Sequence, residues 1–315
     1  MLGKLKRYLK ENTEYGKSRY LNFLTRYDMK RFLVHGGKFR TDGATLAGRI
    51  RLIVHALEKG LSVADGSREF GKEKALELMQ CLEAYRTTAM PDQQALLLAE
   101  SVLSAYRSYR QSKGEDVSFL PEYIAVIPAG AMDYQMQALP DFSEIARARH
   151  SVRCFGTATV TAEQLKEAVA LAQTAPSACN RQSSRVYACV SPDKIKRIMA
   201  VHGGTRGFVN TAAVLALTGD LRLYTSEYER HTVYVDGGIF LMNLLYSLQS
   251  VGLAACPIIW GSEPDNDGVL YELLSIPREE QIVSLLMVGA MPENVVRIPV
   301  SSKRGTETVL KIVAE

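Results

Sequence analysis

The chain has 315 residues, 47% of them hydrophobic and 23% charged, with a net charge of +4. That balance excludes a disordered or low-complexity polypeptide, and the length favours two domains that fold without disulfide staples. Five scattered cysteines (Cys81, Cys154, Cys179, Cys189, Cys256) form no Cys-x-x-Cys pair, which argues against a structural zinc site and for a reducing compartment.

Residues 1–40 hold eleven Lys/Arg against three Asp/Glu, so this arm carries +8 and the rest of the chain −4. A basic arm contacts nucleic acid, an anionic membrane surface or an acidic partner, or is simply a solvated helix face. Its basic residues are not interleaved as a recognition motif, so the solvated face is favoured and nucleic acid is set aside. Membrane-surface or acidic-partner contact through residues 1–40 stays open. The N-terminus leads into no signal-peptide core, and no apolar run approaches 18 residues. The expectation is a cytoplasmic protein without a transmembrane segment.

From Leu2 to about Gln111 the apolar spacing is helical. Leu2, Leu5 and Leu9 share a face; Ile50, Ile53, Val54 and Leu57 follow, ended by Gly60; Leu96, Leu97, Leu103 and Tyr106 mark a further helix. Between Ser112 and Pro140 the pattern is irregular but apolar (Phe119, Leu120, Tyr123, Ile124, Val126, Ile127), as expected of a connector that wraps its neighbour. Residues 1–140 are therefore read as a helical region with its connector, and 141–315 as a second domain.

In that second part helices and strands alternate. Thr161 and Gln164 form a capping box that opens a helix with Leu165, Ala168, Val169 and Ala172 on one face. Val186–Val190, Ala212–Thr218, Ala254–Ile259 and Ile282–Val288 have strand length. A long helix begins at Asp236-Gly-Gly and closes at Gly252, with Met242, Leu245, Leu248 and Val251 inward. The fold class is α+β, a sheet flanked by helices.

Five clusters carry candidate chemistry. Arg149-His150-Ser151-Val152-Arg153-x-Phe155 puts two guanidiniums, a hydroxyl and an imidazole close together, a set suited to a phosphate and a second electron-rich group. Ala175-Pro-Ser-Ala-Cys-Asn-Arg-Gln182 lies between a helix and a strand, its small residues allowing close backbone approach and its amides offering fixed donors and acceptors. Asp236-Gly-Gly with Asn243-Leu-Leu, the strand ending Gly289-Ala-Met-Pro292, and Lys303-Arg304 complete the set. Gly203-Gly204-x-x-Gly207 follows a helix, so it is no dinucleotide loop. His55-x-x-Glu58 has metal spacing but no second pair, and the reading is a packed or surface histidine with no metal. Phe208, Tyr224, Tyr228 and Trp260 are candidates for a substrate wall or for core.

Taken in order and spacing, these clusters resemble the FMN-dependent nitroreductase family over roughly residues 143–312. The resemblance implies a mixed sheet flanked by helices and a homodimer with FMN at its interface. It places Arg149, His150, Ser151, Lys303 and Arg304 at the phosphate and Arg153 near N1/O2 of the ring. It brings Pro176, Ser177, Ala178 and Asn180, with Gln182, from the partner subunit, and sets the backbone of Pro257-Ile258-Ile259-Trp260 against N5. The activity implied is ping-pong transfer from NAD(P)H to a small acceptor, nitroaromatic or quinone-like, with the flavin and no side chain carrying the chemistry. The alternatives are dehalogenation, flavin breakdown or dehydrogenation of a pathway intermediate on the same fold, or a non-catalytic interaction protein. Ser183-Ser184 stand where the family usually has Pro-Trp, and the helical N-terminal region lies outside the family pattern.

Overall fold

In the computed structural model, which describes residues 13–37, 40, 42–63, 70–131, 142–205, 207–261, 263–294 and 305–314, helices come first. They are α1 (Glu14–His35), α2 (Gly43–Val63), α3 (Lys72–Arg86) and α4 (Gln93–Ser112). The apolar stripes of α2, α3 and α4 close on one another, and Ile50, Leu57, Leu78, Leu82, Leu103 and Tyr106 are sealed from solvent in one core. Nothing in the sequence reading marked α3, although Ala75, Leu78, Leu82 and Tyr85 are its buried stripe. α2 runs past Gly60 to Val63 instead of ending there. Gly60 provides space, since a Cβ on it would lie 2.2 Å from the Phe70 ring. Leu2, Leu5 and Leu9 of the basic arm fall outside the described residues.

The connector wraps α4 as expected. Arg107 donates to the carbonyls of Val117, at 3.0 Å, and Leu120, while Ser101 Oγ accepts from the N–H groups of Val126 and Ile127. Leu120 is buried by this course.

The remaining elements are α5 (Phe142–Ala148), α6 (Ala162–Ala172), β1 (Ser184–Cys189), α7 (Pro192–His202), β2 (Ala213–Asp220), α8 (Thr232–Ser250), β3 (Leu253–Ile259), α9 (Pro264–Leu274), β4 (Glu280–Ala290) and α10 (Thr306–Val309). The strands form one sheet in the order β1-β2-β4-β3, each pair antiparallel; Cys154 and Val209 add an isolated parallel bridge. The two central strands are covered on both faces, so their residues sort by the two-residue period of a strand. Val214, Ala216, Leu285 and Met287 face one core, with Ile198 of α7 and Leu270 of α9. Leu215, Leu217, Leu286 and Val288 face the other, with Ala168 of α6 and Leu244 of α8. This is the expected α+β class.

Local signals hold up at α6, where Thr161 and Gln164 exchange side-chain-to-backbone bonds of 3.1 and 3.2 Å. They mislead at α8, which starts at Thr232 and not at Asp236. Asp236 instead sits in the second turn, where its buried carboxylate accepts from Ala178 N–H and Tyr224 OH, a tertiary role in place of a cap. Asn243 caps α6 from outside, donating to the carbonyls of Leu171 and Ala172 and to Thr174 Oγ1.

The N-terminal helices seat on the end of the sheet where β4 begins. Gly37 N–H donates to Tyr224 O at 2.8 Å, Arg31 donates to the carbonyls of Arg278 and Glu280, and Tyr27 OH donates to Asp267 at 3.1 Å. α2 passes so close that a Cβ on Gly48 would lie 3.0 Å from Leu223 Cα. Among the described residues no helix is long and apolar enough to cross a membrane.

Candidate functional site

The first group of site residues hangs on the edge of β3. After α5 the chain runs extended: Val152 N–H donates to Ala255 O, Phe155 N–H to Val209 O, and Gly156 N–H to Ala290 O. Phe155 anchors this course in the core, and Gly289 must be glycine because a Cβ there would meet Phe155 Cβ at 2.4 Å. The anchoring leaves His150 and Arg153 exposed and Arg149 and Ser151 half-buried. Arg149 and His150 line a cavity of about 230 Å³ with Val152, Leu245, Ala254, Ala255 and Pro292, and among the described residues no acid lies in its wall. Burial pushes the Cys256 thiol up, opposed by the charge of Arg153, a bond with Ser151 and the charge of Arg149. The Arg153 guanidinium stands 6.0 Å from the centre of the Phe208 ring, which itself stacks on Phe155.

At the end of β3, Pro257 and Ile258 are half-buried and Ile259 is 88% exposed. Trp260 turns inward, its Nε1 donating to Asp267 Oδ1 at 2.7 Å, so its side chain belongs to the core and not to a substrate wall. Tyr224 is likewise core. Tyr228 is 86% exposed, and Phe208 is half-buried.

The second group, Pro176–Gln182, leads into β1. Cys179, Asn180 and Gln182 all hold φ near 50°, a left-handed conformation that costs non-glycine residues about 1–3 kcal/mol each unless their surroundings fix it. Here they do. Asp236 takes the Ala178 N–H at 3.0 Å, Ser177 Oγ takes the Gln182 N–H, and the Gln182 amide donates to Asn180 Oδ1. Arg181 is 3% exposed and donates to Leu223 O and to Glu229. Ser183, where the family pattern has a bulkier pair, donates to Tyr224 OH, which passes its one proton to Asp236 Oδ2 at 2.9 Å. No local motif announced Arg181, Ser183 or Tyr224 in this network, because their partners lie 12–48 positions away in sequence.

This loop lines a larger cavity, about 350 Å³, between the two halves of the chain. Pro176, Ser177, Arg181, Gln182, Asp236 and Phe240 come from one side, and Ala47, Arg51 and Asp92 come from the N-terminal helices. Arg51 and Asp92 were absent from the sequence reading. The two groups of site residues border opposite edges of the sheet, and three strand spacings of about 4.8 Å set those edges roughly 14 Å apart. Lys303 and Arg304 fall outside the described residues. Among those described, no three His, Cys, Asp or Glu residues gather as a metal site; His55 is exposed, and Glu58 accepts from Gly130 N–H.

A cationic hollow beside an edge strand, with no acid among its described lining residues, suits a phosphorylated ligand. Arginine forks match phosphate oxygens, and an edge strand offers backbone donors.

Residues 146–202 and 200–290 match the model of the Nitroreductase family. YdgI of Bacillus subtilis (strain 168), by name an NAD(P)H nitroreductase, is 23% identical over 187 residues, 47% of this chain and 88% of that protein. Among solved structures, the nitroreductase ydfN of Bacillus subtilis, so named, aligns with 19% identity and a TM-score of 0.50, covering 55% of this chain and 99% of the other. A Staphylococcus epidermidis ATCC 12228 structure, by name an NAD(P)H:FMN oxidoreductase, aligns at 18% identity and a TM-score of 0.44 over 57% and 99%.

Proposed function

We propose, from the premise that the C-terminal half carries a nitroreductase-family domain, that this protein is an FMN-dependent NAD(P)H oxidoreductase acting as a homodimer on a small acceptor. The observation that carries the reading is the division of the family's motif residues between opposite edges of one sheet. A flavin touching both groups takes Arg149–Arg153 and the end of β3 from one copy and Pro176–Gln182 from the other.

FMN would supply the two-electron chemistry. Arg149, His150 and Ser151, joined by Lys303 and Arg304, would hold its phosphate; Arg153 would lie beside the N1/O2 edge of the ring; and the backbone of Pro257–Trp260 would face N5. The left-handed loop offers Ser177, Ala178, Asn180 and Gln182 as a rigid wall, because its strain is already held by Asp236. α8 gives the dimer an apolar face, with Val235 and Ile239 exposed on it. All five cysteines are free, in keeping with a cytoplasmic setting.

Purified protein is expected to be yellow and dimeric. On denaturation it should release FMN, not FAD, at one per chain. A colourless protein that also fails to take up added FMN overturns the reading.

A further inference from the structure

The 350 Å³ cavity between the two halves is large enough for a small organic ligand, and its charges are unevenly committed. Asp236 has both carboxylate oxygens occupied, one by Ala178 N–H and one by Tyr224 OH. Asp92 uses Oδ1 to cap α4, accepting Gln94 N–H at 2.9 Å. Its Oδ2 lies 3.6 Å from Arg51, an ion pair longer than a hydrogen bond.

The three arginines in the wall are less satisfied. The Arg51 side chain is 11% exposed and has, among the described residues, only that long pair with Asp92. Arg185, exposed at the rim, donates from Nη1 to two backbone carbonyls, Gln182 O and Ser184 O, and forms no ion pair among the described residues, although its charge reaches Glu280. Arg181 is paired with Glu229, but its buried Nε has no partner. Each guanidinium carries five donors. Two carboxylates in the wall, with Glu229 behind Arg181, balance the three guanidiniums, and what is left over is donors, on Arg51 and on the buried Arg181 Nε, beside an apolar wall of Ala47, Val169, Val186, Leu223 and Phe240.

We infer that this cavity is the acceptor site and that it selects small organic acids, an apolar body with one carboxylate, with Arg51 of the N-terminal helices as the specificity-determining residue. The placement beside the cofactor rests on the flavin reading above; the preference for an anion rests on the cavity alone. The N-terminal helices then have a role in recognition, because Arg51 and Asp92 enter the site only when α2 and α4 are seated on the left-handed loop.

The test compares 4-nitrobenzoate with its neutral counterpart 4-nitrobenzamide, titrated calorimetrically into the full-length protein as purified, with FMN content measured on the same sample. The acid should bind at least tenfold tighter than the amide in about 50 mM salt, and the gap should narrow as salt screens the charge. Arg51→Gln should reduce the gap to within about twofold. Asp92→Asn, which retains a competent cap for α4, should widen it, because it removes the negative charge 3.6 Å from Arg51. Opposite signs for these two variants are not expected from a merely structural role. Should Arg51→Gln fail to fold, Arg185→Gln takes its place with the same expected loss. Equal binding of acid and amide by the wild-type protein, or shifts of one sign in both variants, overturns the inference. FMN-loaded protein without acid preference rejects this inference alone, and acid-selective protein without FMN rejects the flavin reading alone.

Discussion

Arg31, on the second-last turn of α1, donates through Nη2 to the carbonyl oxygen of Glu280 at 2.6 Å, joining the first helix to the first residue of the central strand β4. The same nitrogen reaches Arg278 O at 3.1 Å, and the guanidinium lies 5.1 Å from the centre of the Tyr271 ring. Only 8% of Arg31 is exposed, so its loss removes two bonds from a largely dry joint and takes the guanidinium from Arg278 O, while Glu280 O keeps the Tyr271 hydroxyl. Charge-assisted bonds of this kind are worth about 1.5–3 kcal/mol. Arg31→Met, which retains most of the stem's packing, should destabilise the full chain by about that amount in urea unfolding, and should make the N-terminal helices the first segment to exchange amide hydrogens.

Gly37 sets how closely α2 can approach the sheet domain. A Cβ there would lie 2.4 Å from Arg222 O and 2.9 Å from Thr45, and the first of these is backbone that cannot rotate away. Gly37→Ala should therefore open the joint, at a cost of about 1–3 kcal/mol from overpacking. Exposure of the cavity residues Arg51 and Arg181 to dicarbonyl reagents should rise in the variant. Unchanged stability and unchanged reactivity would show that the approach is looser than the geometry implies.

The Ser183–Tyr224–Asp236 chain is sealed, with Ser183 and Tyr224 fully excluded from solvent and Asp236 4% exposed. Tyr224→Phe leaves both Ser183 Oγ and one Asp236 oxygen without their partner. A buried polar group without a partner costs about 1–3 kcal/mol. The variant should unfold earlier by that margin and should loosen the left-handed loop, since the same Asp236 carboxylate holds Ala178 N–H. Limited proteolysis near Cys179 reads the second effect.

Much of this architecture is written in short-range pattern. The Thr161–Gln164 box, the apolar run of β2 and the stripe Ile50–Ile53–Leu57 need only their neighbours, and each is present. Asp236 shows the limit. Asp-Gly-Gly reads as a helix start because Asp is a good cap and Gly interrupts helices, yet the chain is helical from Thr232 and the carboxylate serves a loop 58 positions earlier. Gly60 was misread for a similar reason: its purpose, room for Phe70, depends on α2 meeting the segment that leads into α3. Of the site, the motif Arg149–Arg153 and the loop Pro176–Gln182 were legible as clusters. Their assignment to opposite sheet edges was not, since strand order is a tertiary property. Arg51 and Asp92 carry no local mark at all; only the docking of α2 and α4 gives them a cavity.

Acid and neutral pH should act on different glutamates. Burial opposes ionisation of Glu229, but the Arg181 guanidinium and the N–H groups of Thr225 and Ser226 outweigh it and hold its carboxyl below the ordinary 4.5. Its contribution to stability is therefore complete above pH 4.5 and is lost as pH falls through the lowered value. Burial pushes Glu280 the other way, above 4.5, against the hydroxyl bonds from Thr218 and Tyr187. Stability tied to Glu280 is complete below pH 4.5 and declines as pH rises through the raised value. In unfolding free energies measured from pH 3 to pH 8, Glu229→Gln should flatten the acid limb. Glu280→Gln should flatten the decline above 4.5, and curves parallel to wild type in both windows would contradict these assignments.

Arg153 and Arg149 should differ in what they do for the proposed cofactor. Arg149 lines the cavity beside Val152 and Ala255, the position proposed for the phosphate, whose charge is the same in both redox states. Arg153 stands four residues further along the extended course, its guanidinium over Phe208, at the position proposed for the N1/O2 edge of the ring. Only the reduced ring carries charge at that edge near neutral pH, so a fixed guanidinium there favours the reduced state. A charge-assisted bond contributes about 1.5–3 kcal/mol, and ~30 mV corresponds to about 1.4 kcal/mol for a two-electron couple. Arg153→Ala should then lower the flavin midpoint potential by a few tens of millivolts, on the order of 30–60 mV, with modest loss of FMN affinity. Arg149→Ala should weaken FMN binding and leave the potential of saturated protein near wild type. Measuring potential and dissociation constant on both variants separates the roles: an unchanged potential in Arg153→Ala, or an equal shift in the two, would place Arg153 away from the ring.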